Sequence, residues 1–285
     1  MDALIIDIRR KDMLPIMFQL YNVRNELGKD FDGTLNEVAK IGYKYVELAI
    51  APHFGKTASE FKASLEKAGL KAISAHVPYE DLIADADAAI SFHRELGCEF
   101  IVIPYLSDDN RSTGPYYEDV KKNFARLAEE VKKSGAVLLY HNHEFEFEMY
   151  KGKHALDDLY DSVPADLLQT QIDVCWTKVG GVDPIEYILK YSGRAPLIHL
   201  KDFDSSAGNV KASYDLIGQA AKARDDGIFP YRELGKGTMD IPGIIKAAEK
   251  AGTKWLVVEQ DDPTPGKTPL ECAKVSLDYL NGLKL

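Results

Sequence analysis

Cysteine is scarce in this chain. Cys98, Cys175 and Cys272 lie far apart in 285 residues, odd in number and with no CxxC pair. That spacing argues against a disulfide framework and for a reducing compartment. Long apolar runs are missing as well. No stretch reaches the roughly 20 residues that a membrane-spanning helix needs, and MDALIIDIRRKDMLPIMFQLY at the start lacks the apolar core of a signal peptide. A cytoplasmic location is therefore expected. Positive charge is in deficit: 35 Lys and Arg against 45 Asp and Glu leave a net charge of −10. Such a chain is a poor match for phosphate backbones or anionic membranes, so neither nucleic acid nor membrane is expected as a partner.

What the chain does have is alternation. Eight short apolar runs recur: LPIMFQLY (14–21), YKYVELAI (43–50), KAISAHVPY (71–79), FIVIPYL (100–106), AVLLYHNH (136–143), LQTQIDVCWT (168–177), PLIHLKDF (196–203) and WLVVEQDD (255–262). Nearly continuous apolar runs suit parallel strands buried on both faces. Between them lie amphipathic helical patterns that stop at glycine, as at Gly42, Gly69 and Gly135. Two helix starts carry their own signals: Asp240 with Pro242, and the capping box of Thr268, Pro269 and Glu271. This pattern predicts a single (β/α)₈ barrel over residues 1–285. The rival doubly wound sheet would want a glycine-rich loop after the first strand, and QLYNVRNELGKD has none. The long connection after the seventh run predicts a lid or binding loop within 204–238.

In such barrels the chemistry sits at the C-terminal ends of the strands. Those ends offer Gln19 and Arg24, then Glu47 and His76, then His141, His143 and Glu144, then Asp173, His199, Lys201 and Glu259. Singly, each has an ordinary explanation: Asp173 as a helix N-cap, His199 as a satisfied core histidine, VVEQDD as a solvated turn. Together, the last four strands deliver a mixed nitrogen and oxygen set, suited to Mn²⁺, Co²⁺, Fe²⁺ or Zn²⁺ rather than Ca²⁺. Buried carboxylates that cluster without a cation are costly.

The stretches YHNHEFEF, QIDVCWTKVGGVDPIEYI, IHLKDF, ELGKGTMDIPGIIKAAEKAG and VVEQD resemble the sugar phosphate isomerase/epimerase group of the xylose-isomerase-like TIM-barrel superfamily. The likeness runs from MFQLYNVRNELGKDF to the end, in the same order. Sugar 3-epimerases, inosose dehydratase and metal-dependent AP endonucleases belong to the same superfamily. The resemblance implies a metal site of Glu, Asp, His and Glu on strands five to eight. Asp173, His199 and Glu259 match the last three, whereas His141 stands where the first glutamate would be. A bulge would bring His143 or Glu144 inward instead. The implied cofactor is one divalent metal ion, Mn²⁺ first, with Co²⁺, Zn²⁺, Fe²⁺ or Mg²⁺ as alternatives.

By the same resemblance, the expected reaction is isomerisation or epimerisation of a sugar or sugar phosphate. Glu259 removes the proton next to a carbonyl and gives a metal-stabilised enediolate. Lys201 would steady the oxyanion and Glu144 would be the reserve base. His76, Glu47, His143, Glu146 and Trp176 would contact substrate, and the glycines of ELGKG (233–237) would approach a phosphate. The alternative is a lyase that uses the same site for β-elimination on a keto-sugar, keto-glycoside or keto-inositol. A third reading is a sugar-binding protein that has lost its activity, because the strand-five glutamate is missing. The charge disfavours a DNA-repair nuclease, which would want a basic DNA face. The partner expected is a small carbohydrate, with self-association left open.

Overall fold

A computed structural model of the chain describes residues 13–49, 53–206 and 229–284. Eight parallel strands close into a barrel: β1 (Ile16–Gln19), β2 (Tyr45–Leu48), β3 (Lys71–His76), β4 (Phe100–Ile103), β5 (Val137–His141), β6 (Leu168–Asp173), β7 (Leu197–Leu200) and β8 (Trp255–Val258). Each pairs with its neighbours in sequence, and β8 returns to β1 through Met17 opposite Val257. The (β/α)₈ reading therefore holds, and each apolar run of the sequence contains one strand of the barrel.

The helices form where local chemistry starts and stops them. Thr57 caps Ala58–Ala68 in a reciprocal box with Glu60, and Gly69 ends it at φ 76°, a conformation open to glycine. The longest helix among the described residues, Tyr117–Lys133, turns Val120, Phe124, Leu127 and Val131 onto the barrel. Several short helices, such as Tyr79–Ala84, Ala86–Glu95 and Ala155–Asp161, complete the outer layer.

Alternation along the strands sorts side chains to two cores. Phe18, Leu138, Tyr140, Ile198 and Leu256 face outward under the helices. Met17, Phe100, Val102, Leu139, Leu197 and Val257 fill the barrel interior. Further toward the strands' C-terminal ends the interior turns polar, with Gln19, Glu47, Ser74, Gln171 and His199 all fully buried. One bulge tunes this layer. Val46 pairs with Ala72, but Glu47 pairs with Ser74, so β3 gains a residue there and aims Ser74 and then His76 at the centre.

The expected lid falls mostly on residues 207–228, outside the described residues. The described ends of that connection meet each other. Asp202–Phe203 pairs antiparallel with Tyr231–Arg232, and the Asp204 amide donates to the Pro230 carbonyl at 2.9 Å.

Candidate metal centre and active site

Ligand atoms of His141, Asp173, His199 and Glu259 lie within 4.8 Å of one another, all buried, at the mouth end of the barrel. Strand parity explains the convergence: 137, 139 and 141 on β5 face inward, as do 171 and 173 on β6. His141 therefore points into the barrel from β5, whereas His143 lies beyond the strand end. The Asn142 side chain ties β5 to β6, accepting the Asp173 amide hydrogen at 3.0 Å.

The four residues differ electrostatically. Burial, together with His199, His76 and His143, holds the His141 imidazole well below the usual histidine range, so it is neutral. His199 lies between two carboxylates, with Nε2 2.6 Å from Glu47 and Nδ1 2.9 Å from Glu259. Burial alone would lower its pKa, but Glu47 and Glu259 push it up to about 10. Burial raises Asp173 to about 6. Glu259 goes the other way: Lys201 and His199 outweigh its burial and hold it ionised, well below the usual range. Glu47 is likewise held low against its burial by His76 and His199.

These residues fit a divalent cation. Asp173 Oδ1 caps the next helix through the Trp176 amide at 2.8 Å, while Oδ2 is buried, makes no hydrogen bond and has the Lys201 ammonium 3.3 Å away. Two imidazoles and two carboxylates form the borderline set that first-row divalent ions prefer. Lys201 completes the charge arrangement. Its ammonium is fully buried, 2.9 Å from Glu259, 3.3 Å from Asp173 and 3.2 Å from Asp261, and these carboxylates raise its pKa well above normal despite burial.

His76 joins the cluster from β3, with Nε2 2.7 Å from Gln171 and 3.2 Å from Glu47. Glu47 itself is enclosed beneath the ligands and hydrogen-bonded on both oxygens. Trp176 packs against Phe229 and Tyr231 and lies 5.1 Å from the Lys201 ammonium, so it forms a wall of the mouth. His143 packs beside it. Glu144 is half-buried at the rim, and burial raises its carboxyl to about 7. Glu146 is not brought to the cluster. It turns toward the outer layer, where it accepts hydrogen bonds from the Tyr140 hydroxyl and, at 2.7 Å, from the His143 amide.

The phosphate reading of ELGKG fails for a physical reason. The amides of Gly235, Gly237 and Met239 donate to the Asp202 carboxylate at 3.0–3.1 Å, so the protein's own anion fills that cradle. A Cβ on Gly237 would come within 2.1 Å of the same carboxylate. Three participants escaped the sequence reading. Gln171 and Asp261 share inward parity with Asp173 and Glu259, a signal that was present but tied to no ligand chemistry. Tyr231, whose hydroxyl donates to Asp261 at 2.6 Å, follows a long connection with no period to place it.

The model of the xylose isomerase-like TIM barrel family matches residues 35–282. Among curated proteins, an inosose dehydratase of Geobacillus kaustophilus (strain HTA426) is 22% identical over 275 residues, covering 88% of this chain and 87% of that one. An inosose dehydratase of Clostridium botulinum (strain Eklund 17B / Type B) is 27% identical, covering 90% and 91%. Among solved structures, a sugar phosphate isomerase/epimerase from Parabacteroides distasonis ATCC 8503 superposes with a TM-score of 0.75 at 25% identity, covering 95% of this chain and 98% of that one. A closed parallel barrel with this cluster at its mouth, matched over most of its length, makes the chain a member of the xylose isomerase-like TIM barrel family.

Proposed function

We propose that this protein is a divalent-metal-dependent dehydratase that removes water from a cyclic keto-polyol of the inosose class. The observation that carries the reading is the buried cluster of His141, Asp173, His199 and Glu259 with Lys201 against it. It occurs in a chain whose curated relatives, matched nearly end to end, are inosose dehydratases. Elimination thus moves ahead of the isomerase or epimerase expectation. Isomerisation remains the second reading because of the Parabacteroides neighbour. The filled cradle at 235–239 favours a substrate without phosphate.

A metal ion held by His141, Asp173, His199 and Glu259 supplies a Lewis acid for the substrate carbonyl. Glu259, kept ionised by the Lys201 ammonium, takes the proton from the carbon next to the carbonyl. The electron pair of that C–H bond forms the C=C bond as the neighbouring C–O bond breaks. Glu144, with a pKa near neutrality, delivers a proton to the departing hydroxyl, which leaves as water. The Lys201 ammonium offers N–H groups to the oxyanion that develops meanwhile. Trp176 and His143 form an aromatic face suited to the carbon side of a polyol ring.

The test incubates protein and inosose in deuterated water and follows product mass and solvent exchange. A product lighter by one water, with Glu259→Gln slower by roughly 10²–10⁴-fold and exchange falling in parallel, is expected. An isomer of unchanged mass would favour the second reading. Full exchange in Glu259→Gln would move the base elsewhere.

A further inference from the structure

We propose that Glu47, on the second strand, sets the proton positions of both histidines in the cluster, His199 directly and His141 through Gln171. This rests on the reading of that cluster as a metal site, since an imidazole nitrogen must be free of its proton to ligate.

The argument is one of donors and acceptors. A carboxylate offers only acceptors. Glu47 Oε1 takes the Gln19 amide at 2.7 Å and His199 Nε2 at 2.6 Å, while Oε2 takes the Ser74 hydroxyl and the Gln171 amide, each at 2.6 Å. His199 must therefore carry a proton on Nε2. In the metal-free protein Nδ1 also donates, to the Glu259 carboxylate 2.9 Å away, and since Glu47 holds the Nε2 proton, the Nδ1 proton is the one that a metal would displace. Gln171 has to point its NH₂ at Glu47, so its oxygen points the other way. That oxygen accepts from His76 Nε2 at 2.7 Å and from His141 Nδ1 at 3.0 Å. His141 thus carries its proton on Nδ1 and keeps Nε2 free. Both Glu47 and Gln171 are fully buried, so water cannot substitute for either. Glu47 is accordingly a positioning residue and does not touch substrate. The strand-five histidine that departs from the superfamily pattern has its own support in Gln171.

The Glu47→Gln variant keeps the shape and removes one acceptor. If the new oxygen faces His199, the new NH₂ meets the Gln171 NH₂. Gln171 must then rotate, and the His141 proton is driven onto Nε2. If the new NH₂ faces His199 instead, the His199 proton is driven onto Nδ1. Either way a ligand nitrogen is blocked. Exchanging the pair, Glu47→Gln with Gln171→Glu, restores both directions: the amide at 47 donates to the carboxylate at 171, which again accepts from His141 and His76.

The experiment titrates Co²⁺ into chelator-stripped protein, reading binding heat and the visible absorption of the bound ion. Wild type should bind about one equivalent. E47Q should bind about 10–100-fold more weakly, the usual cost of losing such outer support, with an altered spectrum, and the exchanged pair should recover both. Wild-type affinity and spectrum in E47Q, or no recovery in the exchanged pair, would overturn the proposal. If wild type binds no Co²⁺, the metal reading falls and takes this inference with it. Should E47Q not fold, nitrogen–proton correlation spectra of the Zn²⁺-loaded wild type decide. Protons on His141 Nδ1 and His199 Nε2 support the assignment, and the reverse on either ring refutes it.

Discussion

Glu144 and Asp173 lie close to the same charges and respond differently. Asp173 divides its oxygens between a helix cap and the cluster, so the ordinary reading of a strand-end aspartate as an N-cap and the ligand reading are both compatible with it. Glu144 has no such division. One of its oxygens is buried without a hydrogen bond, and its pKa of about 7 comes chiefly from burial, with Asp173 adding and Arg111 and Lys201 subtracting. A general acid works only while protonated, and the protonated fraction of Glu144 shrinks as pH climbs through about 7. Turnover should therefore decline on the alkaline side of neutrality. Glu144→Gln should be slower by roughly 10²–10⁴-fold and show no such decline. A pH profile of kcat for both proteins checks this, and an unchanged alkaline limb in the variant would assign it to another group.

Among the elements, the last helix shows how cheaply a boundary is specified. Thr268 accepts the Glu271 amide hydrogen, and Glu271 accepts the Thr268 amide hydrogen at 2.8 Å. Thr268→Ala should lower unfolding free energy by about 1 kcal/mol, the common cost of a lost cap. Urea unfolding measures this. Metal affinity should be unaffected, because the cap lies outside the cluster. Caps of this kind, and strands made of apolar runs, are legible because their signals are local and periodic. The short helices were less visible: Tyr79–Ala84 and Ala155–Asp161 are too brief for a 3.6-residue period to stand out. In the site, His141, Asp173, His199 and Glu259 could be read because each lies at or next to the C-terminal end of a strand with inward parity. Glu146 was misplaced because the chain after His141 leaves the strand and enters a 3₁₀ turn, where alternation no longer applies. Gln171 could not be valued from sequence, since its role depends on the carboxylate that faces it from another strand.

For the molecule as a whole, a cluster with four carboxylates around His199 and Lys201 (Glu47, Asp173, Glu259 and Asp261) should be stabilised by a cation. Mn²⁺ or Co²⁺ in excess should raise the melting temperature of chelator-treated protein. At about 100 times the dissociation constant the gain is about 2.7 kcal/mol. Differential scanning with and without the ion measures it, and His199→Ala should lose most of the shift. A melting curve indifferent to every divalent ion in wild type would remove the metal from the proposal.

Within the connection between the seventh and eighth strands, residues 202–204 and 230–232 are stapled to each other. Asp202 grips the returning chain through three amides, and Asp204 meets Pro230 across a two-residue ladder. With its ends clamped side by side, the chain has already met the cost of closing the loop between them, and that cost changes only slowly with length. Evolution, or an engineer, can therefore splice segments of different size and chemistry into this socket without retuning the barrel.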